Sequence, residues 1–342
     1  MISARPGIFL LVNFLAAFTV SPEQAKPPAD KILLDVVVTE KSGPPIPSLQ
    51  EKDFTLLDNK VPRQVSSLRA LDAKVAPIET IVVLDALNTS TDEVEFEHQE
   101  IGKFLRANGG SLAHPTLIAI LNDTDIRRVQ DDFSTDGNAL GVSLDKYIAE
   151  SPLLRRRFTT WGKSEALIHS LKALRQLAVF ELSRPGRKII LWVSRGWPIV
   201  ETQLAWKEQQ QVFADIVSLS DQLLDAHITL YSIDPRGSCC IDDSYGKYVK
   251  GISKPDQVYL GNLGLQVIAV QTGGLALNGS NDVAMLLQRC VADTGAYYQI
   301  SFDAAATPKR DEYHHLEIKL QNSRLTARTR QGYYAHSNLP EN

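Results

Sequence analysis

Four aliphatic residues in a row, Ile81-Val82-Val83-Leu84, close on Asp85, and this run most narrows what the chain can become. An unbroken, mostly β-branched apolar run reads as a strand buried on both faces, because a strand with one wet face alternates instead. The acidic stretch 91–105 that follows predicts a helix crossing back over the sheet. Asp85 then sits at the carboxyl end of a parallel strand, the edge where open α/β sheets bind ligands near the reversal of strand order. The polar residues Asn88, Thr89 and Ser90 behind it are suited to a binding loop.

The same alternation of strand and helix continues across residues 78–294 and predicts an α/β, doubly wound, mostly parallel sheet with helices on both faces. Further strands are expected at 116–121, 188–193 and 228–233. Helices are expected at 136–149, 164–180, 201–225, 263–271 and 282–293. The turn Asn122-Asp123-Thr124-Asp125 leads into a short strand within 126–133, which would lie antiparallel at one edge. Residues 31–75 carry strands at 32–39, 53–59 and 64–68, too few to cover both faces of their own sheet. Residues 295–336 return to one-face-wet strands at 296–302, 313–320 and 325–334. The two chain ends are therefore expected to close one flanking β-sandwich beside the α/β domain.

The sequence of 342 residues can bury a full core, and its formal net charge of −4 with dispersed cations lacks the footprint of a nucleic-acid binder. Its one tight basic cluster, Arg155-Arg156-Arg157, reads as a solvated face. Residues 1–25 have the layout of a secretory signal, with Arg5 before an apolar run at 8–20. That run falls short of the roughly 20 residues that span a bilayer. Export to a periplasmic, cell-envelope or extracellular location is expected, with membrane contact only if this segment is retained. Among the three cysteines, adjacent Cys239 and Cys240 could bridge each other, one could pair with Cys290, or all could be buried thiols.

These residues resemble a known family, the von Willebrand factor A domain, and within it the exported bacterial VWFA-related proteins of acidobacterial type. The resemblance runs through Asp53-Phe54-Thr55-Leu56-Leu57-Asp58-Asn59, residues 81–89, residues 186–197 and Thr272-Gly273-Gly274, and ends in residues 325–334. It implies a six-stranded sheet with one antiparallel edge strand, protein binding rather than catalysis, and a metal-ion-dependent adhesion site at the top of the sheet. That site takes an Asp-x-Ser-x-Ser run, a loop threonine and a second aspartate. Asp85 matches the first position and Thr89 the second hydroxyl, while Leu87 stands where a ligating serine belongs. Ser164, with Thr159 or Thr160 as neighbours, matches the loop threonine, and Ser194 or else Arg195 stands where the second aspartate belongs.

A hard divalent cation needs an oxygen shell, so the expected site is degenerate: Asp85, Thr89, Ser164 and Ser194, holding either no cofactor or Mg²⁺/Mn²⁺. Arg195 could instead pair with Asp85 and supply the positive charge itself. Asp123, Asp125 and Asp234 end neighbouring strands and would form an acidic lip with Asp85. Asn88, Arg195 and an exposed Trp197 complete the expected partner-binding face for an unknown protein. Enzyme motifs are absent: no Gly-x-Ser-x-Gly elbow, no His-Glu-x-x-His helix, no Gly-x-Gly-x-x-Gly turn. Gly162-Lys163-Ser164 lacks the leading glycine of a phosphate loop. His314-His315 point to opposite faces of a strand and cannot share a metal. A non-catalytic interaction or adhesion module is the expectation. The alternatives are a metal-assisted hydrolase near Asp85, Asp123 and Asp234, or a structural envelope component.

Overall fold

Strand alternation divides the apolar residues between two helical layers and a separate sandwich. A computed structural model describes residues 31–41, 43–72, 76–151, 162–198, 203–237, 244–304, 307 and 309–336. The signal-like segment, Arg155 to Arg157, Thr159, Thr160, Cys239 and Cys240 lie outside the described residues. The chain opens with β1 (Lys31–Glu40), β2 (Phe54–Asp58), β3 (Val61–Arg63) and β4 (Ser67–Asp72). Next come β5 (Ile78–Asp85), α1 (Thr91–Arg106), β6 (Ser111–Leu121), β7 (Ile126–Arg128), β8 (Ser134–Asp136), α2 (Gly137–Glu150) and α3 (Lys163–Leu182). The α/β series finishes with β9 (Arg187–Val193), α4 (Trp206–Asp225), β10 (Ile228–Ile233), α5 (Leu265–Gln271), β11 (Ala276–Leu277) and α6 (Val283–Ala292). β12 (Ala296–Asp303), β13 (Glu312–Leu320), β14 (Leu325–Arg328) and β15 (Gly332–Ala335) close the chain.

The central sheet runs β11-β10-β9-β5-β6-β7, parallel except at this last edge, where β7 and a seventh, short strand β8 both pair with β6 antiparallel. This is the expected mostly parallel sheet with one antiparallel edge. Ile81 and Val83 of β5 face one layer, formed by α3, α4 and α5, while Val82 and Leu84 face the other, formed by α1, α2 and α6. Every residue of β9 is buried, as its continuous apolar run requires. The chain places β6 on one side of β5 and then returns to place β9 on the other. Strand order therefore reverses between β5 and β9, at the carboxyl edge where Asp85 and Ser194 end their strands.

Both chain ends build the sandwich. One sheet runs β14-β1-β12-β4 and the other β15-β13-β2-β3, around a core that includes Val36, Leu56, Ile300, Phe302 and Tyr333. The run 325–334, expected as one strand, is two: β14 pairs with β1 and β15 with β13. Residues 329–331 cross from one sheet to the other, so each terminal segment stitches a different face. The strand expected at 64–68 is displaced: β3 ends at Arg63, and the edge strand β4 begins only at Ser67. The strand expected within 126–133 is only β7, and α4 starts at Trp206 rather than 201. His314 is buried, its Nδ1 2.7 Å from Asp58 Oδ1, while His315 faces outward. Cys290 is a fully buried free thiol, and burial raises its pKa. Among the described residues no helix is long and apolar enough to cross a membrane.

Buried charge gathers at the amino-terminal edge of the central sheet. Arg184 holds Glu79 through Nε at 2.7 Å and Nη2 at 2.5 Å. Glu181, fully buried, lies 3.7 Å from Arg184 Nε and close to the Glu79 carboxylate. Burial and then the neighbouring Glu79 carboxylate push the Glu181 carboxyl up to about 7. A carboxyl that holds its proton more tightly in the fold than in the unfolded chain contributes full stability below its ordinary pKa of 4.5. That contribution falls as pH rises through about 7. Asp221, raised to about 6 chiefly by burial, acts in the same direction. Urea midpoints followed across this range should fall with rising pH, and Glu181→Gln should flatten the slope. An unchanged slope in that variant would remove Glu181 as the cause.

Candidate functional site

The loop from β5 to α1 is shaped at both ends by its own side chains. Glu93 Oε2 accepts from the Ser90 backbone N–H at 2.9 Å and from the Ser90 hydroxyl at 2.6 Å, while Ser90 Oγ accepts from Glu93 N at 3.4 Å. This capping box fixes where α1 begins. At the strand end, Asp85 Oδ1 accepts from Leu87 N at 3.1 Å and Asn88 N at 3.0 Å. Asn88 Nδ2 donates to both carboxylate oxygens, at 3.1 and 2.9 Å, and Trp192 Nε1 donates to Oδ2 at 2.8 Å. Asp85 is fully buried. Burial raises its pKa, and hydrogen bonds from Trp192, Asn88 and Ser194 pull it back.

Those donors occupy the lone pairs that a cation would need, since a carboxylate offers about four acceptor positions. Thr89 Oγ1 instead donates to Glu97 Oε1 at 3.4 Å. Glu97 is fully buried, and its Oε2 has no partner among the described residues. Burial first, then Asp85, Glu93 and Asp234, raises its pKa well above the usual carboxylate range. A carboxyl shifted toward its protonated form is a poorer ligand for a hard cation. Ser194 Oγ accepts from Gly196 N at 3.1 Å. Ser164 is exposed on the first turn of α3; the hydroxyl that reaches the loop is Ser170, which accepts from Asn88 Nδ2 at 2.9 Å and donates to the Ala166 carbonyl. Among the described residues no group of three His, Cys, Asp or Glu side chains could hold a metal. The residues present do not fit Mg²⁺ or Mn²⁺ in this arrangement.

Arg195 does not pair with Asp85. Its Nε donates to the Asn88 carbonyl at 2.7 Å, and the side chain is exposed above the loop. The acceptor positions of Asp85 are already taken by N–H donors, which leaves none for the guanidinium. Asp234 is also spoken for: Arg236 donates to it from N and Nε at 3.0 Å and from Nη2 at 2.7 Å. Arg236 Nη2 also lies 3.5 Å from the Arg195 carbonyl. Asp125 pairs with Arg127 at 3.0 Å, and Asn122 Oδ1 accepts from Thr124 N and Asp125 N, so this turn shapes the β6–β7 hairpin. Asp123 is half-buried, with Oδ1 unpartnered among the described residues. Of the expected acidic lip, Asp125 and Asp234 are thus ion-paired, and Arg195 and Arg236 are close enough to lower the pKa of Glu93. Trp197, expected as an exposed anchor, is 3% exposed and packs edge-on against Trp192 at 5.1 Å.

Ser170, Glu97, Trp192 as a donor and Arg236 complete a site that the motif alone does not name. Glu97 shows a faint signal: it follows Val94 and precedes Ile101 and Phe104 at helical spacing, which places a carboxyl on the apolar face of α1. Trp192 shows another, because a buried indole N–H takes an acceptor.

No protein-family model matches the sequence, and no curated protein matches it. Among solved structures, the chain is similar to proximal thread matrix protein 1 from the mussel byssus at 11% identity and TM-score 0.38, covering 69% of this chain and 51% of that one. A structure of the same mussel protein with a zinc-occupied MIDAS motif gives 10% identity and TM-score 0.37 over 69% and 50% of the two chains. Manganese-loaded TRAP protein of Plasmodium vivax gives 8% identity and TM-score 0.37 over 77% and 96%. The chain spans about half the length of the mussel protein. At these scores the fold assignment rests on strand order and connection rather than on the likenesses.

Proposed function

We propose that this chain is an exported, non-catalytic protein-interaction module whose partner docks at the carboxyl edge of the central sheet through Arg195. One observation carries the reading: Arg195 is exposed and anchored by Nε to the loop, and its terminal nitrogens have no partner among the described residues. A guanidinium held at Nε presents a planar fork suited to one carboxylate. A carboxylate of the partner would thus meet a fixed cation of the chain itself, where the adhesion-site resemblance implies a metal ion. The group of exported bacterial VWFA-related proteins is the family reading that the sequence motifs support, with the signal-like residues 1–25 supporting export. The sandwich would serve as a spacer or second docking surface.

Acidic peptides and their Gln/Asn counterparts, displayed in parallel against the whole chain, test this. The acidic peptides should bind and the amides should not, with no change on adding Mg²⁺, Mn²⁺ or chelator. Arg195→Glu should weaken binding about tenfold or more, since it turns a charge-assisted pair into repulsion. Equal binding of acid and amide peptides, or loss of binding on chelation, would overturn the reading.

A further inference from the structure

A second arginine lies where no carboxylate meets it. Arg330, in the crossing between β14 and β15, is 7% exposed and lines a cavity of about 30 Å³ between α4, α5 and the sandwich. Its hydrogen bonds among the described residues both leave Nη1 and are long: 3.4 Å to the Ser220 hydroxyl and 3.3 Å to the Gly332 carbonyl. Nε and Nη2 have no partner there, and no carboxylate comes within ion-pair distance of the side chain. Two other buried arginines among the described residues do have a carboxylate within ion-pair distance. Arg187 stands 3.8 Å from Asp35, and Arg328 is paired with Asp293.

The cavity wall supplies what a small anion needs. The Tyr313 hydroxyl borders it and has no partner among the described residues, so it is a second donor beside the guanidinium. The Tyr313 ring packs on Tyr334 with centroids 5.2 Å apart, and its hydroxyl lies so near Gly332 that a Cβ there would come within 2.3 Å. The donor is therefore held in place. Leu219, Leu223 and Leu263 form apolar walls beside it. Asp221, Asp225 and Asp35 are the nearest negative charges, and they act on Arg330 from beyond contact. Asp221 is itself engaged by His336 at 3.1 Å. Burial pushes the guanidinium down to about 10, which leaves it charged at neutral pH.

We propose that Arg330 and the Tyr313 hydroxyl bind a single small inorganic monoanion of halide size, which fastens the carboxyl-terminal crossing of the sandwich to α4 and α5. A cavity of this volume exceeds the roughly 10–15 Å³ of free space that one water needs. It admits chloride or bromide and is too small for a tetrahedral oxyanion. A guanidinium in an apolar enclosure favours a charged occupant over water, because the missing counter-charge costs most where the dielectric is low. A ligand bound only by the folded chain raises its melting temperature with concentration.

Thermal melting of the whole chain in chloride, bromide, sulfate and gluconate at matched ionic strength reads this out. Halides should raise the melting temperature saturably, by about 2 °C or more, while sulfate and gluconate leave it unchanged. Arg330→Met should abolish the difference between salts. Crystals of the wild-type chain soaked in bromide should show an anomalous peak between the Arg330 guanidinium and the Tyr313 hydroxyl, which decides the matter even if Arg330→Met does not fold. Identical melting in chloride and gluconate, a halide response that survives in Arg330→Met, or a bromide-free cavity would each overturn the proposal.

Discussion

Asp85→Ala should lower the stability of the chain by about 3–5 kcal/mol, and by the same amount with Mg²⁺, Mn²⁺ or chelator present. The reason is the number of donors the carboxylate serves. Its removal leaves Leu87 N, Asn88 N, Asn88 Nδ2 and Trp192 Nε1 facing an apolar interior. Each orphaned buried donor costs about 1–3 kcal/mol before relaxation. Urea unfolding of wild type and variant under the three metal conditions measures it. A small loss would mean that water reaches the loop. A wild type that gains stability on adding Mg²⁺ or Mn²⁺, with no gain in the variant, would restore the metal site and defeat the closed-loop account.

The second large effect is expected where the two halves of the molecule meet. Gly274→Ala should cost about 3 kcal/mol or more, because a Cβ there would lie 1.7 Å from the Leu230 carbonyl oxygen and 3.2 Å from that of Ala269. Both obstacles are backbone, one in β10 and one in α5, so no side-chain rotation relieves the clash. The preceding Gly273 has φ +87°, a left-handed backbone that favours glycine, and its carbonyl accepts from Arg328 Nη1 in the sandwich. A shift in this turn therefore reaches both β10 and the terminal strands. Gly246→Ala serves as the control, since nothing lies within 4 Å of its would-be Cβ and its melting point should hold. Equal melting points for the two variants would show that β10 or α5 can move aside freely.

Much of the fold is legible because its signals are local. The runs at 81–84 and 188–193 announce strands covered on both faces, and the structure places them side by side in register, with Val83 opposite Trp192. The hairpin edge is announced by Asn122-Asp123-Thr124-Asp125, whose side chains do close that turn. The split of 325–334 is not legible, since strand periodicity does not say that residues 329–331 change sheets. The extent of α1 is legible from its capping box and apolar spacing, yet the state of Glu97 on it is not. That state depends on Asp85 and Asp234, which different strands deliver.

By itself the sequence determined that Asp85 stands at the ligand edge of a parallel strand and that Leu87 cannot ligate a cation. Local hydrogen bonding and strand periodicity suffice for both, because they act within a few residues. Only the tertiary structure decided what Asp85 does there. Its Trp192 donor comes from a strand 107 positions away, Arg195 stops at the Asn88 carbonyl, and Trp197 turns inward. The cause is physical: the loop after β5 and Trp192 of β9 together supply enough N–H donors to satisfy a buried carboxylate without a guanidinium beside it. Arg195 is thereby left at the surface, with its fork turned outward.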